Sequence, residues 1–167
     1  MKIKDEHAHL EIAANSHPGL SGKINEDRYR VTSFLAGKKQ VPTVLAVLCD
    51  GIGGHRAGEI AAEMGVSMIT DRVAVSDPDL PLEALREAII IASDEIYAAS
   101  QTNEKFQGMG ATCACAWVIG DQLYTANLGD SRIYLLREAH LVQLTTDHTW
   151  VQEAPVSYTH LTLPTNR

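Results

Sequence analysis

The stretch from Val44 to Ala62, VLAVLCDGIGGHRAGEIAA, constrains this chain most. Val44 to Cys49 is a short, continuous apolar run bounded by glycine, which predicts a buried strand. The run ends in one carboxylate, Asp50. A turn rich in glycine follows (Gly51, Gly53, Gly54, Gly58), and then a helical pattern. An acid at the end of a buried strand sits at the edge of the sheet, where a rigid scaffold presents it. The glycines let the backbone come close to whatever the acid holds. Asp50 is not flanked by Lys, so the turn is not a P-loop. A dinucleotide fingerprint would need Gly at 51, 53 and 56, and position 56 is Arg. The turn is suited to a cation rather than to a bare phosphate.

At 167 residues the chain is long enough for one domain with a sizeable core. Its net charge of −7, with no basic run, argues against nucleic acid or an anionic membrane as the main partner. Acidic balance serves solubility, and it also fits binding of divalent cations. The three cysteines, Cys49, Cys113 and Cys115, lie in apolar strand segments. Their odd number, and an N-terminus without the apolar core of a signal peptide, predict a reducing, cytoplasmic setting. Zinc spacing is absent, so buried structural thiols are expected. No window has the ~20 apolar residues of a membrane span.

Along the chain, His7 to Asn15 reads as a first strand, stopped at His17-Pro18-Gly19. Arg28 to Leu35 reads as a second, before the Asp50 strand. A helix is expected from Arg56 to Val75, with Ile60, Ala61, Met64, Met68 and Ile69 as its apolar stripe. A second helix opens near Pro81 and ends near Ser100, with Leu82, Leu85, Ile89, Ala92 and Ile96 on one face. The period then changes to two. Strands are predicted over Ala111–Ile119 and Gln122–Asn127, joined by Gly120-Asp121, then over Ile133–Leu136 and Leu141–Leu144. Two antiparallel strand groups around a helical pair define an α+β layer pattern. A helix is expected to begin at Thr149–Ala154. Residues 155–167 show no periodicity of either kind.

Glu26-Asp27, Asp50 and Asp130 each lie at a loop or strand end beside Gly or Asn. Any one of them is explained as a turn residue. Together, carboxylates from several strand ends can converge on one edge of a sandwich. Hard cations such as Mg²⁺ and Mn²⁺ take oxygen donors, and two of them close together promote in-line displacement at phosphorus.

The ordered motifs make the chain recognisable. Asn25-Glu26-Asp27, Asp50-Gly51-Ile52-Gly53-Gly54-His55 with Ala57-Gly58-Glu59, Gly108-Met109-Gly110-Ala111-Thr112, Asn127-Leu128-Gly129-Asp130-Ser131-Arg132 and Leu144-Thr145-Thr146-Asp147-His148 occur in that order. The sequence resembles the metal-dependent protein serine/threonine phosphatases of the protein phosphatase 2C (PPM) type, in their bacterial form. The resemblance implies an α+β sandwich of two antiparallel β-sheets flanked by helices. It implies two Mn²⁺ or Mg²⁺ ions, with a third, weaker site. Asp50 would bridge the two ions, Glu26 and the carbonyl of Gly51 would hold one of them, and Asp27 would orient a water. Asp130 would help bind the third. The implied reaction is hydrolysis of phosphoserine or phosphothreonine by direct attack of a metal-bridging hydroxide. The implied partners are phosphorylated proteins, substrates of bacterial Ser/Thr kinases.

Three departures qualify the resemblance. Gly22 stands where the family carries a phosphate-gripping Arg, so Lys23 is the candidate phosphate binder, without the guanidinium fork. Ile52 stands where eukaryotic members place a histidine, and His55 is expected to be a structural hydrogen-bonder. Two further metal-binding aspartates of the family have no counterpart after Ala154. The expectation is therefore that residues 7–154 form the N-terminal part of a phosphatase domain, incomplete at its C-terminal end. The tail 155–167 is expected to be a non-family, artefactual extension. The alternative reading is a catalytically inactive fragment.

Overall fold

The computed structural model describes residues 9–20, 24–53, 57–148 and 157–162. The element order is β1 (Asp27–Ala36), β2 (Val41–Ile52), α1 (Ala57–Ala74), α2 (Pro81–Ser100), β3 (Gly110–Ala111), β4 (Cys113–Ile119), β5 (Gln122–Leu128), β6 (Tyr134–Arg137), β7 (His140–Gln143) and β8 (Ser157–Thr162). The main sheet runs β1-β2-β4-β5-β8, with β3 paired to the end of β2, and every pairing is antiparallel. Strands β6 and β7 form a separate two-stranded sheet.

Alternation along β2 divides the molecule. Leu45, Val47 and Cys49 face α1 and α2, and pack with Val66, Ile69, Val73, Leu85 and Ile89 into the main core. Cys115, Trp117 and Ala126 continue the same face on β4 and β5. The even-numbered side of β2 is less covered, and Leu48 and Asp50 are exposed. There, Ile12, Tyr29, Leu48, Ala116, Ile133 and Tyr134 line an open cleft of about 440 Å³.

The two helices fall where periodicity puts them, but α1 is rotated from the expected stripe. Ala61 and Ile69 of the expected stripe are buried, together with Ala57, Gly58, Ala62, Gly65 and Val66, while Ile60 is exposed and Met64 and Met68 are half-buried. Small residues let the helix axis approach the sheet; a methyl group on Gly65 would fall 3.1 Å from Cys49 Sγ. The larger side chains flank the contact. In α2, Leu85, Ile89, Ala92 and Ile96 are buried as predicted.

Three expectations change. His7–Asn15 is not a strand over its described part: only Ala13 makes an isolated bridge, and most of the segment is exposed. Its weak alternation has too little apolar surface to hold a strand on the sheet. The expected Ala111–Ile119 strand is broken at Thr112, which separates β3 from β4. Ser157–Thr162, expected to have no regular structure, is a strand paired with β5. A sheet edge offers a row of unpaired N–H and C=O groups, and a Thr-rich segment suits that position. The expected helix start at Thr149–Ala154 lies outside the described residues.

All three cysteines are free and buried. Cys113 and Cys115 Sγ are 3.3 Å apart. Hydrogen bonding to Cys113 and burial push the Cys49 thiol far up, and hydrogen bonding to Cys115 does the same for Cys113. A thiol that stays protonated is a poor nucleophile.

Candidate metal centre

The β1–β2 register sets Asp27 directly opposite Asp50. Like charges across a strand pair repel. Burial pushes the Asp50 carboxyl above the usual carboxylate range, and the negative charges of Asp27, Asp130 and Glu26 push it further the same way. Four acids from three separate segments therefore act on one point at the sheet end. Among the described residues, the charges acting on Asp50 are all negative.

Local structure holds each segment in place. Asn25 Oδ1 accepts from the Asp27 N–H at 3.0 Å, an Asx turn that leads the chain into β1. Arg28 donates from Nη1 to the carbonyls of Asn25 (3.0 Å) and Asp27 (2.7 Å), and its Nη2 pairs with Glu59 on α1. The Glu26-Asp27 segment is thereby tied to the first turn of α1. Gly51 and Gly58 are required by close approach. A methyl group on Gly51 would fall 2.0 Å from the Gly58 carbonyl oxygen, and one on Gly58 would fall 2.7 Å from Glu26 Oε1. The glycines of the turn let the end of β2, the start of α1 and the Glu26 carboxylate crowd together.

Asp130 arrives on the loop after β5. Gly129 has φ +95°, a conformation that favours glycine, and its carbonyl accepts from the His148 N–H at 2.9 Å. Arg132 grips Asp147, with Nε 2.9 and 3.1 Å from the two carboxylate oxygens. This clamp joins the loop after β5 to the segment after β7.

Of the residues expected at the site, Glu26, Asp27, Asp50 and Asp130 are thus brought together, and Gly51 sits opposite Ala111 beside them. Lys23 and His55 lie outside the described residues. Thr112 and Ser131 were not singled out, although both stand inside motifs read in the sequence. Their signal is positional: each hydroxyl residue is adjacent to a glycine-rich strand end or turn. The donor set is all hard oxygen, which suits Mg²⁺ or Mn²⁺. Among the described residues, no three His, Cys, Asp or Glu side chains form a group placed to hold a metal ion.

Residues 20–154 match the family described as Protein phosphatase 2C, and the chain belongs to that family. It is 38% identical over 113 residues to the serine/threonine phosphatase stp of Listeria monocytogenes, covering 65% of this chain and 45% of that protein. It is 36% identical over 147 residues to the serine/threonine protein phosphatase PstP of Mycobacterium tuberculosis, covering 86% of this chain and 26% of that one. The solved catalytic domain of PstP, in complex with two manganese ions, superposes with a TM-score of 0.66 at 24% identity, over 83% of this chain and 73% of that one. That likeness establishes the shared α+β fold. The chain spans about a quarter to a half of the length of these curated relatives.

Proposed function

We propose that this chain carries the metal centre of a Mn²⁺- or Mg²⁺-dependent phosphoprotein phosphatase acting on phosphoserine and phosphothreonine. The observation that carries this reading is the convergence of Glu26, Asp27 and Asp130 on Asp50, with Asp27 and Asp50 opposed across β1 and β2. Membership of the family, and relatives named as serine/threonine phosphatases, support the substrate class. In this reading Asp50, Glu26 and the Gly51 carbonyl would hold the principal cations, and Asp130 would hold a further one more loosely. Asp27 would accept a hydrogen bond from the attacking water and orient it. Bound cations supply the positive charge that activates water and neutralises the phosphoryl oxygens. Lys23 meets the substrate phosphate as a point charge. The partners are phosphorylated proteins, substrates of bacterial Ser/Thr kinases. No helix among the described residues is long and apolar enough to cross a membrane, which suits a cytoplasmic setting. The phosphatase part is assigned to residues 7–154, with 155–167 outside it.

A second reading has an observation of its own. No trio of side chains is closed into a ligand group among the described residues, which favours a chain that binds cations weakly and turns over little substrate. One experiment separates the two. Release of phosphate from a phosphothreonine peptide is measured with and without millimolar-scale Mn²⁺, for the full chain and for Asp50→Ala. Turnover that requires Mn²⁺ and vanishes in Asp50→Ala supports the phosphatase. Absence of turnover from a soluble, folded chain supports the silent form.

A further inference from the structure

Thr112 belongs to neither β3 nor β4, yet its side chain touches both halves of the acidic centre. The register that pairs Leu48 with Ala114 carries forward to set Asp50 against Thr112. One half of the expected ladder forms: the Thr112 N–H donates to the Asp50 carbonyl at 2.9 Å. The other half is replaced by a side chain, because the Asp50 N–H donates to Thr112 Oγ1 at 3.0 Å. The same hydroxyl lies 2.6 Å from Ser131 Oγ, the residue after Asp130. The methyl side of Thr112 packs under Gly129; a Cβ there would fall 2.7 Å from Thr112 Cγ2. Thr112 is 5% exposed, so water does not substitute freely for these bonds.

A hydroxyl has one proton to donate and two lone pairs to accept. Accepting from the Asp50 N–H leaves Thr112 free to exchange a second bond with Ser131 in either direction. Valine at 112 would keep the shape and lose both bonds. Serine would keep both bonds and lose the methyl contact with Gly129.

We infer that Thr112 is a positioning residue that couples the Asp50 strand end to the Gly129–Ser131 loop, so that the Asp50 and Asp130 carboxylates are held as one unit. The inference rests on the reading that these carboxylates share bound cations. Its consequence is that cation affinity depends on a hydroxyl that touches no cation. Partners of this kind change metal affinity by about 10- to 100-fold when removed.

The test uses the full chain as wild type, Thr112→Val, Thr112→Ser and Ser131→Ala. Two readouts are taken: backbone amide signals of Asp50 and Asp130 by NMR without metal, and Mn²⁺ affinity by calorimetry well below the melting temperature. Coupling predicts that Ser131→Ala moves the Asp50 amide signal although Ser131 lies on another segment. It predicts that Thr112→Val moves both signals and weakens Mn²⁺ binding about 10- to 100-fold, and that Thr112→Ser restores most of both. A merely structural threonine would lower the melting temperature of Thr112→Val but leave the Mn²⁺ affinity of the folded protein and the Asp130 amide unchanged. That result overturns the inference. If Thr112→Val does not fold, an unmoved Asp50 amide in Ser131→Ala overturns it instead. If the wild type binds no Mn²⁺, the phosphatase reading fails, and the metal-free amide signals alone decide whether the coupling exists.

Discussion

Asp50 and Asp147 are both aspartates at the end of a strand or just beyond one, and their surroundings drive them in opposite directions. Asp147 receives the Arg132 fork and a further bond from Gln143 Nε2 at 3.2 Å. These hydrogen bonds hold its carboxyl below the usual carboxylate range. Asp50, although exposed, is partly desolvated and stands beside three other acids, and its carboxyl is pushed up. One charge is already answered within the chain and closes a loop. The other is held in place by glycines, an Asx turn and a threonine hydroxyl, without a cation among the described residues to answer it. That contrast separates a carboxylate that closes a loop from one left unanswered among the described residues more sharply than the sequence motifs do.

The strongest way to break the comparison is to add Mn²⁺. A ligand present at a hundred times its dissociation constant stabilises the state that binds it by about 2.7 kcal/mol. The wild-type chain should show a stabilisation of that order in thermal melts. Asp50→Asn should lose nearly all of it, together with any phosphopeptide turnover. Asp147→Asn should keep the Mn²⁺ response, because the Arg132 pair is not part of the donor set. An equal loss in both variants would erase the distinction between the two carboxylates.

Gly58→Ala tests the packing that holds Glu26 near Asp50. The new methyl group would meet Glu26 Oε1 and the Gly51 carbonyl carbon at 2.7 and 2.8 Å. Backbone cannot yield cheaply there, and overpacking of this kind costs about 1–3 kcal/mol. Urea denaturation should show the loss, and Mn²⁺ affinity should fall with it as Glu26 is displaced. At the other pole, buried Asn127 donates to the Thr146 carbonyl at 3.0 Å and anchors the segment that leads to Asp147. Asn127→Ala should cost about 1 kcal/mol in the same experiment, the typical net worth of one hydrogen bond. It should leave the Mn²⁺ response in place.

Much of this architecture was legible in the residues. The apolar run ending in Asp50, the Pro81 helix start and the Gly120-Asp121 turn are local signals, and each element follows them closely. The acids of the centre were legible as a set because each stands beside Gly or Asn at a strand end. The rotation of α1 was not, since Met and Ile outrank Ala and Gly in hydrophobicity, while close approach to a sheet selects for small size. The strand at Ser157–Thr162 was not legible either. Pairing with the edge of β5 is a long-range event, and its own periodicity is too short to announce it. Thr112 escaped notice for a related reason. Its role depends on a strand break and on Ser131, nineteen positions away, where only the folded chain brings a hydroxyl.

The smallest effect is the one that tests the contrast itself, because it needs no metal. Asp50 has a folded-state pKa above its unfolded one, so between the two values the folded chain holds more proton than the unfolded chain. Stability therefore falls as pH rises through that window, which starts near the ordinary aspartate value of about 3.9 and extends upward. Asp147 has the reverse shift, so its contribution is present above the ordinary value and is lost as pH falls through the lowered one. Removing Asp50 as Asn should make metal-free stability rise more steeply with pH above about 4, and raise it at neutral pH by up to about 1 kcal/mol, the scale of a like-charge pair across strands. Removing Asp147 as Asn should flatten the rise below about 4. Urea midpoints measured across this range for the two variants and the wild type should bend in opposite senses. Midpoints that bend the same way in both would mean that Asp50 is answered by a positive charge of the chain itself, and the case for an external cation at this centre would lose its electrostatic ground.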